Sequence, residues 1–243
     1  MKVLFFDLLL IFLFLNGSYF QRKGNDKITV QTIGALKTIV QTGDISAKVN
    51  LDTLQNIPHL YALGALENLS GEITIIDGEP FISQDINNES QIDHKWDHKA
   101  TLLVYASVYK WKSVNIPDSV KTLEQLDTFA GKAAEASGIS PDDPFPFMLE
   151  GTARSFSWHI VKWKIGDMEH SHEKHQKSGL HGTMNNEEVE IIGFYSQHHQ
   201  GIFTHHGTNI HTHVNSEDNS IAGHLDDIVL GEGMVLKIPD TNN

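Results

Sequence analysis

Histidine is the residue type in this sequence that offers the most chemistry. The chain has 243 residues, of which fifteen are histidine and none is cysteine. Three histidines lie close together near the C-terminus, at His211, His213 and His224. Neutral imidazoles bind zinc and other divalent transition metals, whereas a chain without cysteine has no thiolate sites, disulfides or cysteine nucleophiles. The sequence therefore directs attention to a metal site built from histidine.

The spacing of these three histidines predicts that they share one face of a β-hairpin. Residues two apart in a strand point to the same side, so His211 and His213 present adjacent imidazoles. The polar segment 215–220 has the composition of a hairpin loop. One register of the hairpin places His224 opposite His211, and a register one residue tighter places it opposite His213. Both bring three imidazoles together, which is typical of catalytic zinc, although similar sites bind manganese, iron, cobalt or nickel.

The rest of the sequence supplies the elements that must position this hairpin. One long helix is predicted over 120–137, with Asp118 as its N-cap and Gly138 after its last turn. A short strand and helix are predicted over 28–30 and 33–40, further strands over 61–64, 72–76, 101–111, 147–164, 189–196 and from 210 onward, and a long polar loop over 168–181. We expect a β-rich α+β fold, with two mixed or antiparallel sheet halves around the long helix and the metal site on the C-terminal hairpin.

Composition also predicts how the chain is divided and where it acts. Residues 1–20, a lysine followed by an apolar run, have the layout of a secretory signal peptide, which implies a periplasmic or extracellular protein without membrane contact after cleavage. A proline-rich loop over 139–146 separates an N-terminal α+β half, 21–143, from a β-rich half, 144–243, that carries the histidines. The net charge of −13 repels nucleic-acid phosphate and anionic lipid.

The C-terminal hairpin resembles the zinc site of the α-acetolactate decarboxylase family. Family members share a His-x-His pair, a short acidic loop and a Gly-His, found here as 211–213, 216–218 and 223–224 with the same intervals. Segment 69–79 is similar to the family's Gly-Glu strand with its following Asp-Gly, and 147–151, 182–183 and 192–196 match other strands of the family. The resemblance covers Leu60 to Leu225, apart from 86–143.

The resemblance implies a zinc-dependent lyase of acetoin biosynthesis, which decarboxylates 2-acetolactate to acetoin and carbon dioxide. Loss of carbon dioxide leaves a carbanion that the neighbouring ketone takes up as an enediolate, with the metal as electron sink. No organic cofactor is implied. Glu72 lies at the family's catalytic carboxylate position, where a carboxylic acid with a raised pKa could donate the proton. A small-molecule substrate and a second copy of the chain, in a homodimer, are the implied partners.

One position departs from the family pattern. The family places an arginine, thought to engage the substrate carboxylate, where counting eight residues from Gly151 reaches His159. A protonated imidazole can contact a carboxylate, but it lacks the bidentate fork of arginine. A related metal lyase with an altered hydroxy-keto acid substrate is therefore one alternative. A non-catalytic, exported, His-rich metal-binding protein is another, and a short DNA-associated domain with a similar His pattern is a third that the charge of −13 disfavours.

The other histidines fall into groups with different expectations. A tract containing His170, His172, His175 and His181 could bind zinc loosely or supply it to the main site, although a mobile solvated loop is the simpler interpretation. His205 and His206 precede the ligand strand and could orient the ligands from outside. His198 and His199 are expected at the surface.

Overall fold

Two antiparallel β-sheets make up most of the computed structural model, which describes residues 28–218 and 220–241. The first sheet contains β1 (Gln31–Ile33), β2 (Val49–Asn50), β3 (Leu60–Leu66), β4 (Glu72–Ile76), β5 (Glu79–Ile86), β6 (Glu89–Asp93) and β7 (Lys99–Ser107). The second sheet contains β8 (Trp111–Asn115), β9 (Phe145–His159), β10 (His181–Tyr195), β11 (Ile210–Ser216), β12 (Ala222–Val229) and β13 (Val235–Pro239). The helices are α1 (Leu36–Thr42), α2 (Leu123–Ala136) and α3 (His172–Gln176).

The strand order differs in kind between the two sheets. The first runs β1-β7-β3-β4-β5-β6, with β2 beside β7. The second sheet has the order β10-β11-β12-β9-β13-β8. Strand β10 also pairs with β9, so β10, β11, β12 and β9 close into a ring. The predicted signal peptide, 1–20, lies outside the described residues. None of the helices in the described part of the chain has the length and apolarity needed to cross a membrane.

Two-residue turns fix the meander of the first sheet. Asp77 and Gly78 join β4 to β5 with φ angles of 48° and 83°, and Asn87 and Asn88 join β5 to β6 with φ angles of 57° and 63°. Positive φ at both central residues belongs to the primed turns that suit a twisted hairpin, and Gly and Asn tolerate it best. These turns fix the register of β4, which begins at Glu72.

The two sheets stack through an apolar layer. Its buried members are Tyr61, Leu63, Ile76, Phe81, Val104, Ala106 and Val108 from the first sheet and its flank, and Met148, Ile192, Phe194, Phe203 and Ala222 from the second sheet and a nearby loop. This layer presses β4 against β12. The packing therefore brings the first residues of β4 to the C-terminal hairpin.

The fold class is confirmed, but the long helix has a different place from the one expected. Helix α2 packs on β10, β12 and β13 of the second sheet, and it buries Leu126, Ala130 and Ala134 there. The two sheets contact each other directly, so they are not arranged around the helix. Strand β8 and helix α2 both precede residue 143, yet they pack with the second sheet. The structural division thus falls between β7 and β8.

Several element boundaries also differ from the prediction. The expected strand over 101–111 is two strands, β7 and β8, in different sheets. Strand β9 ends at His159, not near 164, and the expected loop over 168–181 contains α3. The short N-terminal strand and helix correspond to β1 and α1, and each begins three residues after its predicted start. Apolar residues continue through 108–111 and 160–163, so only tertiary contacts decide where pairing stops there.

Helix α2 begins with a capping box at Thr122, four residues after the predicted cap. The Thr122 hydroxyl accepts from the Gln125 N–H, and the Gln125 side chain accepts from the Thr122 N–H. We expect Thr122→Ala to reduce the free energy of unfolding by about 1 kcal/mol, because the cap hydrogen bond is lost. Urea unfolding measures this change. Asp118→Ala is the matched control, and a larger effect there than at Thr122 would contradict the assignment.

Candidate metal centre

Three neighbouring strands of the second sheet place imidazoles side by side. His213 on β11 pairs with His224 on β12, and His224 pairs in turn with His159 on β9. The hairpin thus adopts the tighter of the two predicted registers. The ring centroid of His224 lies 5.0 Å from that of His211, 5.7 Å from that of His213 and 4.7 Å from that of His159. The predicted histidines and His159 therefore form one group.

His211, His213 and His224 favour the neutral form because they are buried. His211, His213 and His224 are 5%, 1% and 9% exposed. Burial and the neighbouring imidazoles hold the pKa of His211 and of His213 well below the usual value. Burial also lowers the pKa of His224, to about 4. Neutral imidazole is the form that binds metal ions, since its lone pair is free.

Hydrogen bonds engage one ring nitrogen of His213 and one of His211 and leave the other free, whereas neither ring nitrogen of His224 has a hydrogen-bond partner among the described residues. Nδ1 of His213 lies 3.1 Å from the buried Thr74 hydroxyl, and His211 donates to the Phe203 carbonyl. Within the described residues, no hydrogen-bond partner lies near Nε2 of His213, Nδ1 of His211 or Nε2 of His224. Buried nitrogens without partners are costly. Buried nitrogens without partners on three neighbouring imidazoles suit a divalent transition-metal ion, which would satisfy them.

Glu72 reaches this group from the other sheet. It begins β4, is 4% exposed, and is therefore not the surface residue that lone glutamates usually are. Oε1 accepts a hydrogen bond from the Val161 N–H at 3.1 Å and lies 3.9 Å from Nε2 of His159, while Oε2 lies 3.7 Å from Nε2 of His213. Burial raises the pKa of Glu72 to about 7, against the opposing effect of His159. Glu72 can thus hold a proton beside the histidines near neutral pH.

His159 is held by an aspartate that the sequence analysis did not single out. Nδ1 of His159 lies 2.9 Å from Oδ1 of Asp226, which also accepts from Gln176 at 2.8 Å and lies 3.4 Å from Nδ1 of His224. Burial alone would lower the pKa of His159, but the hydrogen bond to Asp226 and the charge of Glu72 raise it. His159 is therefore a buried imidazole that favours its protonated form.

Asp226 lies at an irregularity in β12, between Leu225 and Asp227, where the pairing of β12 with β9 shifts by one residue. Such a bulge adds one residue without a partner on the neighbouring strand. Asp226 is two residues from His224, so strand alternation predicts both on one face, and this spacing is visible in the sequence. Ligand atoms of His159, His224 and Asp226 all lie within 4.8 Å of one another, and among the described residues this trio, not His211, His213 and His224, is the group with that spacing.

Further histidines lie beside the group. The His172 and His205 ring centroids are 4.1 Å apart, and that of His205 is 5.6 Å from that of His224. Burial lowers the pKa of His175 to about 4. The segment 168–181 is not a uniform solvated loop, because it contains α3 and because His170 is only 8% exposed. His198 is exposed and pairs with Asp142 at 3.2 Å, in agreement with the surface position expected for it.

The buried acid makes the stability of the metal-free protein depend on pH. The pKa of Glu72 rises from 4.5 in the unfolded chain to about 7 in the fold, so stability is lost as pH rises through this window. We expect metal-free Glu72→Gln to be on the order of 3 kcal/mol more stable than wild type at about pH 8, and nearly equal to it at about pH 4. Urea unfolding at both pH values measures the difference. An unchanged difference across the window would contradict a buried, protonated Glu72.

Two stacked antiparallel sheets, with a buried group of histidines and one glutamate where they meet, define the class of protein. The family model for alpha-acetolactate decarboxylase matches residues 38–243, and the chain belongs to this family. None of the curated protein sequences matches it.

Solved structures agree with this fold at low sequence identity. Acetolactate decarboxylase from Bacillus subtilis subspecies spizizenii is 15% identical, with a TM-score of 0.69 over 86% of this chain and 85% of the other. The enzyme from Bacillus subtilis strain 168 is 14% identical, with a TM-score of 0.66 over 86% and 85%. A Staphylococcus aureus protein of unknown function, similar to alpha-acetolactate decarboxylase, is 13% identical, with a TM-score of 0.67 over 86% and 84%.

Proposed function

We propose that this protein decarboxylates 2-acetolactate to acetoin and carbon dioxide, with one divalent transition-metal ion, zinc in the first instance, held by His211, His213 and His224. One observation carries the proposal. Three buried imidazole nitrogens without hydrogen-bond partners lie beside Glu72, whose burial raises its pKa to about 7. Membership of the decarboxylase family supports the same reaction class.

The residues of this chain divide the work between them. Thr74 and the Phe203 carbonyl each engage one ring nitrogen, of His213 and of His211, and leave the other nitrogen of each ring for the metal. When bound, the metal supplies a positive charge that draws electron density from the ketone of the substrate. Glu72 holds a proton at a carboxyl oxygen 3.7 Å from Nε2 of His213 and would deliver it to one face of the product carbanion. A fixed donor explains how a single enantiomer of acetoin could form.

His159 is proposed to bind the substrate carboxylate. Its Nδ1 is engaged with Asp226, so Nε2 remains to donate to an anion. This position differs from the arginine of the family, because one imidazole N–H replaces a bidentate fork. Another 2-hydroxy-3-keto acid with a differently placed carboxylate is therefore the second candidate substrate. We also propose that the protein is exported with cleavage of residues 1–20 and that it assembles as a homodimer.

The deciding experiment measures acetoin from racemic acetolactate, with metal content determined on the same sample. We expect turnover by protein that carries one zinc ion and none after chelation, with recovery when zinc is returned. A panel of related 2-hydroxy-3-keto acids tests the second candidate. Stoichiometric metal with no carbon dioxide released from any of them would overturn the decarboxylase and favour the non-catalytic metal-binding alternative.

Removal of the His159 side-chain charge tests the carboxylate contact. We expect His159→Gln to raise KM by about tenfold to a hundredfold, the value of a lost charge-assisted hydrogen bond, with a smaller change in kcat. Asp226→Asn should shift KM in the same direction, since it removes the negative charge that favours the protonated imidazole. Steady-state kinetics measure both. Unchanged KM in both variants would place the substrate carboxylate elsewhere.

A further inference from the structure

A second group of histidines lines the passage from the surface to the buried centre. An outer cavity of about 380 Å³ and an inner cavity of about 50 Å³, which reaches His211 and His224, share four lining residues. These are Leu36 and the three histidines His172, His175 and His205. An ion that travels from the outer to the inner cavity must therefore pass three imidazoles.

Helix α3 presents two of these histidines together. His172 and His175 are three residues apart on a helix, which places them on one face. The Ser171 hydroxyl accepts from the Lys174 N–H at 3.2 Å and so fixes the start of this helix. His205 approaches from the loop before β11, with its ring centroid 4.1 Å from that of His172. Two separate segments thus bring the rings of His172 and His205 into contact, and His175 lines the same two cavities.

His170 forms a hydrogen bond with His175 and fixes its ring. Nε2 of His175 lies 3.0 Å from Nδ1 of His170, and the His170 ring stacks on Trp163 with centroids 4.4 Å apart. When His175 donates from Nε2, the lone pair on its Nδ1 is free to bind a metal. His170 is 8% exposed, and its Nε2 has no hydrogen-bond partner among the described residues. Metal-binding imidazoles are commonly fixed in this way, through their second nitrogen.

We propose that His172, His175 and His205 form a second site for a divalent transition-metal ion, at the entrance to the buried centre. Three neutral imidazoles from two segments are a donor set for zinc, cobalt, nickel or copper. The entrance site shares no ligand with the group formed by His211, His213 and His224, and the His205 ring centroid lies 5.6 Å from that of His224. It binds an ion whether or not the buried centre carries out decarboxylation, so it goes beyond the proposed function.

Zinc titration of the metal-free, full-length protein by calorimetry, with bound metal then counted on the same sample, tests the entrance site. We expect wild type to bind two equivalents, the second more weakly. His172→Ala with His175→Ala should lose the weaker equivalent and keep the tighter one, and His211→Ala with His213→Ala should do the reverse. His59→Ala with His198→Ala removes two exposed histidines elsewhere and should still bind two equivalents.

The outcomes separate the entrance site from the buried centre. A single equivalent in wild type that survives the α3 double variant would overturn the entrance site. Loss of one equivalent in the His59 and His198 control would do so as well, since binding would then be unspecific. A single equivalent lost only in the α3 double variant would instead support the entrance site and contradict the buried triad. Circular dichroism confirms folding, and His205→Ala provides an independent test from the other segment.

Discussion

Replacing His213 with alanine is expected to remove the metal from the buried centre and with it the activity. His213 is 1% exposed and is fixed by Thr74, so no other imidazole of the described chain can move into its place without repacking. Loss of the metal removes several kcal/mol of transition-state stabilisation, and we expect the rate of acetoin formation to fall by on the order of 10³-fold or more. Metal analysis and the acetoin assay on one preparation measure both effects.

The matched control for this prediction is His198→Ala. His198 is exposed and pairs with Asp142 at the surface, and it has no proposed role in metal binding or catalysis. That variant should keep its metal content and rate. A His213→Ala protein that is folded, lacks the metal of the buried centre and still forms acetoin at the wild-type rate would exclude a metal at the triad from the chemistry.

The second large effect is expected at Glu72. Glu72→Gln keeps the shape of the side chain but removes the proton that it can transfer. General acids contribute about 10²-fold to 10⁴-fold, and we expect kcat to fall by that amount with KM almost unchanged. The metal content should stay at the wild-type value, because Glu72 is not among the proposed ligands. Steady-state kinetics and metal analysis measure the separation of the two effects.

The stereochemistry of the product distinguishes a proton donor from a structural role. Acetoin formed slowly by Glu72→Gln should have a lower enantiomeric excess than that from wild type, since water can then protonate the carbanion from either face. Glu89→Gln changes an exposed residue on β6 and serves as the control. Residual acetoin with full enantiomeric excess would assign the proton to another group, and His159 would be the first to test.

Much of the fold follows from local rules that the sequence displays. The alternation in 72–76 and the Asp-Gly that follows it predict the β4–β5 hairpin, and the observed positive φ angles of Asp77 and Gly78 agree with it. Helical spacing predicts α2 to within three residues at its start and one at its end. These features depend on residues that are close together in the chain, so they can be predicted from the sequence.

The place of α2 could not be predicted in the same way. The apolar face of α2 must pack against another apolar surface, and either sheet could have supplied that surface. In the structure the second sheet does so. The capping box at Thr122 was equally visible in the sequence, yet it was Asp118 that the apolar pattern suggested. The short helix α3 and the burial of His170 depend on contacts with Trp163, which no local pattern contains.

The site divides along the same line. By itself, the sequence determined which side chains could bind a metal, and that His211 and His213 share a face, since strand geometry has a period of two. Tertiary structure alone decided that His224 lies opposite His213, that Glu72 arrives from the other sheet, and that Asp226 contacts His159. Register and sheet stacking arise from packing among residues distant in the chain, and such packing leaves no periodic signal in the sequence.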